Sequence, residues 1–131
     1  ASRSRLNRVM GDRWNSALVG AAFRGTRQFS RFESELGIGP AQLSERLAEL
    51  QALDILRTDA DGGVRQGYRL TEAGLALFPM TLELIRWGNR WLLAPDQVVQ
   101  VQHLPCGERL IARWHCGHCR QTLERDTIRF T

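Results

Sequence analysis

With 131 residues, 43% of them hydrophobic, the chain can build one domain with its own core plus a small appendage. No apolar run reaches the roughly 18 residues of a membrane span, and the arginine-bearing start lacks the apolar stretch of a signal peptide, so a cytoplasmic protein without membrane contact is expected. The net charge of +4 is unevenly spread: residues 1–31 hold Arg3, Arg5, Arg8, Arg13, Arg24, Arg27 and Arg31 against Asp12 alone, a candidate phosphate-facing surface or a solvated basic face.

The first expected element is a short basic helix over Ser2–Met10, with Leu6, Val9 and Met10 on one side. Gly11-Asp12 breaks it, and Asp12 can cap a second helix through Trp14, Leu18, Val19 and Ala22. After a turn at Phe23–Thr26, Arg27–Phe29 is extended. Ser30 can then cap a third helix, with Ser30 and Glu33 in capping-box spacing. Gly37-Ile38-Gly39-Pro40 punctuates the chain, and Pro40 suits the first position of a fourth helix. Leu43, Leu47 and Leu50 give that helix one buried stripe and leave Gln42, Ser44, Glu45 and Glu49 elsewhere on it.

Two extended segments follow, Ile55–Thr58 and Arg65–Leu70, joined through the hairpin signal Asp61-Gly62-Gly63. Thr71–Gly74 opens a long helix reaching Trp91, and Pro79 predicts either a kink or a separate first turn. Beyond Ala94-Pro95-Asp96, the alternation at Val98–Gln102 and Arg109–His115 reads as strands, with Ile128–Phe130 as a third. No internal repeat is evident. The fold class is therefore mainly α with a small β component (α+β): a winged helix-turn-helix over residues 1–95 and a β zinc-ribbon-like module over 96–131.

All three cysteines fall in one window, as His103-x2-Cys106-x9-Cys116-x2-Cys119. An odd count argues against a disulfide framework. Three thiols and an imidazole are a ligand set for tetrahedral Zn²⁺, and four protein ligands leave no open position for catalysis, so the metal is expected to be structural. His115 and His118 are spare candidates; His103 is preferred because it completes the first pair symmetrically. The alternative is a set of three free thiols without metal. The zinc-deaminase pattern is absent, as are a P-loop, a dinucleotide fingerprint and any nucleophile–base set, so no enzyme is expected.

The order of elements has a physical logic. A helix can enter the major groove while a hairpin carries arginines to adjacent phosphates. Arg27 and Ser30, at the entry to the third helix, form a candidate phosphate clamp. Gln42, Ser44 and Glu45 are candidate base contacts. Arg46 is a candidate phosphate contact or a structural partner, and Arg65 and Arg69 would share one side of the wing. A cavity among Trp14, Phe23, Phe78 and Trp87 is a candidate for a small-molecule effector.

Residues 11–91 resemble the HxlR-type winged-helix transcription regulators. The matching residues are Gly11-Asp12-Arg13-Trp14, Gly25-Thr26-Arg27-Gln28-Phe29, Ile38 with Leu43-Ser44-Glu45-Arg46-Leu47, Tyr68-Arg69-Leu70-Thr71-Glu72-Ala73-Gly74 and Trp87-Gly88. The wing departs from the family's pattern, with Asp61-Gly62-Gly63 where a proline pair is usual. The cysteine that some members carry in the first helix is absent. The resemblance implies a homodimer that binds double-stranded DNA at a near-palindromic operator, by default as a repressor. Leu6, Val9, Leu82, Ile85 and Trp91 are candidates for the interface or the core. The competing reading is a protein-interaction module on a winged-helix scaffold, which the acids near the fourth helix (Glu33, Glu35, Glu45, Glu49) would favour.

Overall fold

The computed structural model describes residues 2–59 and 67–131. Four helices lead to a two-stranded antiparallel sheet and two further helices: α1 (Ser2–Gly11), α2 (Arg13–Phe23), α3 (Phe29–Leu36), α4 (Pro40–Ala52), β1 (Leu56–Thr58), β2 (Tyr68–Leu70), α5 (Glu72–Leu75) and α6 (Phe78–Trp91). Leu56 pairs with Leu70, Arg57 with Arg69 and Thr58 with Tyr68. This is the winged helix-turn-helix order. Arg65 and the Asp61-Gly62-Gly63 turn of the expected wing lie outside the described residues, as does the side chain of Met10.

Local chemistry sets most boundaries. Asp12 caps α2, its Oδ1 accepting from the backbone N–H of Trp14 at 2.9 Å and of Asn15 at 3.0 Å. Gly37, at φ 66°, ends α3 by returning its N–H to the Glu33 carbonyl. Pro40 opens α4. Pro79 lies in the first turn of α6, where its missing N–H costs nothing, so the chain divides there into α5 and α6.

The third helix starts earlier than its sequence suggests. Gln28 is the N-cap residue, without a side-chain cap bond, and Ser30 stands inside the helix, exposed. The cause lies in the wing: the Tyr68 N–H donates to the Arg27 carbonyl at 2.8 Å, which holds Arg27 extended and lets the helix begin immediately after it.

The core gathers Leu18 and Val19 of α2, Phe32 of α3, Leu43, Leu47 and Leu50 of α4, and Ile55 and Leu56 at the wing's base. The wing is locked to α5 at one point. The Thr71 N–H donates to the Ile55 carbonyl, its hydroxyl donates to the Asp54 carbonyl, and the same hydroxyl accepts from the Gly74 N–H at 3.0 Å. A Cβ on Gly74 would lie 2.3 Å from the Ile55 oxygen, so only glycine fits there.

No residue beyond Gly74 is buried. The segment after α6 contains no continuous strand. Its expected strands reduce to isolated bridges, Gln102 with Arg109 and His115 with Thr122, and Arg125–Thr127 forms a 3-10 turn. The segment docks on α6 through Asn89, whose Nδ2 donates to the Val99 carbonyl and whose Oδ1 accepts from the Val99 N–H, both at 2.9 Å.

Gly74→Ala forces a methyl into backbone. Overpacking of that kind should cost about 3 kcal/mol, read as a lowered midpoint in thermal or urea unfolding, whereas Gly39→Ala, with open space around its Cβ position, should change little.

Candidate nucleic-acid interface

Helix α4 turns Leu43, Leu47 and Leu50 inward. At 100° per residue, the opposite side carries Ala41, Glu45 and Ala48, with Ser44 beside them and Gln42 on the flank toward Arg46. Gln42, Ser44 and Glu45 are all exposed. Among the described residues Glu45 pairs with neither Arg46 nor Arg31, the partners its neighbourhood suggested. Ala41 and Ala48 drew no attention in the sequence, because a small apolar residue signals nothing until the helix face is known.

Arg46 stands differently. Only 16% of its side chain is exposed, and it bridges Glu49 at 3.0 Å and the α2 cap Asp12 at 3.5 Å. Arg8 of α1 clamps Glu49 from the other side, through Nε at 2.6 Å and Nη2 at 2.8 Å. Asn15, fully buried, donates to the Arg8 carbonyl at 3.3 Å. Arg46 is thus a structural partner that fixes α4 to α1 and α2, the second of its two readings, and is not displayed as a phosphate contact. Its role depended on Asp12 and Arg8, remote in sequence.

Hydrogen bonding and charge from Arg8, with a further bond from Arg46, hold the Glu49 carboxyl down at about 2, and Glu49 in turn raises the Arg8 guanidinium. Glu35 is lowered by the hydroxyl of buried Thr26, at 2.7 Å, and by Arg31, at 3.2 Å. Two of the four acids near α4 are therefore neutralised within the chain, which removes much of their weight against an anionic partner.

Beside the start of α3 lies an open groove lined by Arg24, Thr26, Arg27, Gln28, Arg31 and Glu35. Arg24 and Arg27 are exposed, and Ser30 sits in the first turn of the helix whose N-terminus faces this region. Arg24 follows the end of α2 with nothing in its local sequence to mark it; the turn at Gly25, at φ 99°, brings it there. In the wing, Arg57 and Arg69 are opposite one another across the strand pair, and Arg69 is tied to Asp59 at 2.8 Å. Arg13 lies over the Trp14 ring at 4.5 Å.

Of the four aromatic residues expected to enclose an effector, two are in contact with each other and one is half exposed. Phe23 and Phe78 pack against each other with ring centroids 5.1 Å apart and ring planes tilted by 49°, and Trp87 is turned outward. A cleft of about 430 Å³ opens elsewhere, between α6 and the C-terminal segment, with Leu82, Ile85, Val101 and Leu110 in its walls and Arg86, Arg90 and Arg109 at its edges. Leu82 and Ile85 thus face this cleft, while Leu84, Trp87 and Trp91 form an exposed stripe on another side of α6.

The expected zinc ligands form two pairs. The Cys106 Sγ lies 3.4 Å from the His103 Nδ1. The Cys116 thiol is held below its ordinary range by backbone hydrogen bonds from Cys119 and His118 and by the Cys119 side chain. Among the described residues no three His, Cys, Asp or Glu side chains converge on one point.

Residues 9–96 match the family described as HxlR-like helix-turn-helix. MT3179 of Mycobacterium tuberculosis, an HTH-type transcriptional regulator, is 35% identical in an alignment covering 97% of this chain and 82% of its own. The structure of PA1607, described as a candidate transcription factor, is similar with a TM-score of 0.84 at 30% identity, over 95% of this chain and 89% of that one. The redox regulator HypR in its reduced form gives a TM-score of 0.59 at 28% identity, covering 70% of this chain and 96% of that one. Likeness to MT3179 and PA1607 thus extends through the C-terminal segment, whereas HypR covers little beyond the family domain.

The depressed carboxyl of Glu49 makes a pH prediction. A carboxyl titrating near 4.5 when unfolded and near 2 when folded contributes stability that is complete above about pH 4.5 and is lost as pH falls toward 2. Urea unfolding at stepped pH should show that loss, and Glu49→Gln should flatten it.

Proposed function

The chain belongs to the HxlR-like helix-turn-helix family of transcription regulators, not enzymes, and we propose that it acts as a homodimeric repressor reading a near-palindromic operator with α4. The observation that carries this reading is the exposed side of α4, where Ala41, Glu45 and Ala48 face away from the core and Ser44 and Gln42 are exposed on its two flanks. Ala41 and Ala48 let the helix approach base edges and thymine methyl groups closely. Gln42 can bond adenine, Ser44 a base or a phosphate, and Glu45 the cytosine amino group.

Phosphates are met on either side. Arg24 and Arg27, with Ser30 at the start of α3, supply guanidinium groups and helix N–H donors. Arg57 and Arg69, and Arg65 from outside the described residues, supply the wing. Arg46 acts behind this surface by fixing the angle of α4.

Pairing of two chains is supported by α6. Its fourteen residues include none that is buried, and Leu84, Trp87 and Trp91, the last 63% exposed, form one apolar stripe at heptad spacing. Exposed Leu6 of α1 adds to the apolar surface. Two recognition helices held in this way would meet half-sites about one helical turn apart. HypR is described as a redox regulator; the three cysteines of this chain all lie beyond the family domain.

An effector fits the cleft between α6 and the C-terminal segment better than the aromatic cluster. An apolar wall edged by three arginines suits a small organic acid. Benzoate, but not neutral benzamide, should then change operator affinity; equal effects from both would remove the acid from the reading.

Selection from a random duplex library should recover an inverted repeat, with affinity falling steeply as salt rises. Gln42→Ala and Ser44→Ala should relax preference at single positions, each by about 1–3 kcal/mol. Arg27→Gln should weaken all sequences alike and lessen the salt slope. Trp91→Glu should yield a monomer on sedimentation that no longer selects paired half-sites. Recovery of no sequence at all would move the chain to the interaction-module reading.

A further inference from the structure

The two halves of the C-terminal segment have one backbone geometry. The His103 N–H donates to the Glu108 carbonyl at 2.9 Å, and the His103 carbonyl accepts from the Gly107 N–H at 2.8 Å. Thirteen residues along, the Cys116 N–H donates to the Gln121 carbonyl and the Cys116 carbonyl accepts from the Arg120 N–H, both at 2.8 Å. Bridges flank each turn at equivalent places, Gln102 with Arg109 and His115 with Thr122. The Leu110 N–H reaches the Val101 carbonyl just as the Leu123 N–H reaches the Trp114 carbonyl. Each turn closes on a left-handed residue at the same position, Gly107 at φ 74° and Arg120 at φ 66°. The sequence shows only the paired ligands of this repeat, because the turn is made by backbone bonds and few other side chains coincide.

We propose that these are two copies of one metal knuckle and that they bind a single zinc ion through His103, Cys106, Cys116 and Cys119. The register makes the choice among the histidines. His103 aligns with Cys116 and Cys106 with Cys119, whereas His115 aligns with Gln102 and His118 with Pro105, neither at a ligand position. The first pair already has the required separation. Bond lengths of about 2.3 Å to sulfur and about 2.0 Å to nitrogen, at tetrahedral angles, put the two ligand atoms about 3.5 Å apart; here they are 3.4 Å apart. Three thiolates and a neutral imidazole, with no oxygen donor, select zinc over magnesium or calcium. Binding releases the thiol protons, and the metal brings the second pair onto the first.

A second observation points the same way. The segment after α6 has no buried residue, and its three cysteines are free. Units below about 40 residues are usually held by disulfides, a metal or association. Its contact with α6 runs through the Asn89 amide and a 3.5 Å bond from Arg86 Nη1 to the Ala112 carbonyl. The ion would therefore hold the segment against α6 and keep the wall of the cleft.

The test uses the full chain purified without a metal-affinity tag. About one zinc per protomer by mass spectrometry of metals is expected, with a tetrahedral thiolate spectrum after cobalt(II) exchange. Cys116→Ser and His103→Ala should lose the metal, and hydrogen exchange should then rise across residues 98–131 while α2 and α4 keep their protection. His115→Ala and His118→Ala should retain it. Three freely titrating thiols in excess zinc, iron bound in its place, or metal loss in His118→Ala would each overturn the assignment.

Discussion

One carboxylate joins the three helices that matter most. Glu49 on α4 takes Arg8 from α1 and shares Arg46 with Asp12, the cap of α2. Helix α4 is therefore oriented by charge-assisted hydrogen bonds as well as by its leucines. Apolar packing at Leu43, Leu47 and Leu50 fixes which side of α4 faces inward, but it is non-directional and tolerates rotation. Bidentate guanidinium–carboxylate contacts are directional and set the angle. The same contacts run into α1, so any change in the placement of that helix is transmitted to α4.

Much of this was legible in the sequence, for local reasons. Asp12 caps because its carboxylate needs only two neighbouring N–H groups. Pro40 and Pro79 mark helix starts because proline is harmless there and disruptive later. The hydrophobic stripe of α4 follows from spacing. The failures share a different property: each depends on a distant partner. Ser30 has the chemistry of a cap, but Tyr68 holds Arg27 extended and moves the helix start to Gln28. Arg46 has the appearance of a phosphate ligand until Asp12 and Glu49 are folded beside it. The paired ligands after α6 mark two tight turns in the sequence, but the full register of the repeat lies in backbone geometry and not in residue identity.

The C-terminal segment is an addition to a family domain that is otherwise complete. The match to the family ends at residue 96, while likeness to MT3179 and PA1607 continues through most of the chain beyond that point. Attachment needs little from the host helix. Asn89 presents its amide as a strand edge would present a peptide group, and the added chain pairs with it at Val99. One residue on the outside of α6 thus supplies a mooring point, with no change required in the core.

The absence of buried residues along α6 has a consequence for abundance. Under the proposed pairing, the exposed stripe of α6 would find its cover in a second chain, and its folded fraction would then depend on protomer concentration. With pairing through Leu84, Trp87 and Trp91, newly made protein at low copy number would leave this helix exposed to proteases, and the surviving pool would rise more steeply than synthesis. A protein paired in that way would carry a threshold in its own stability, before any signal reached it.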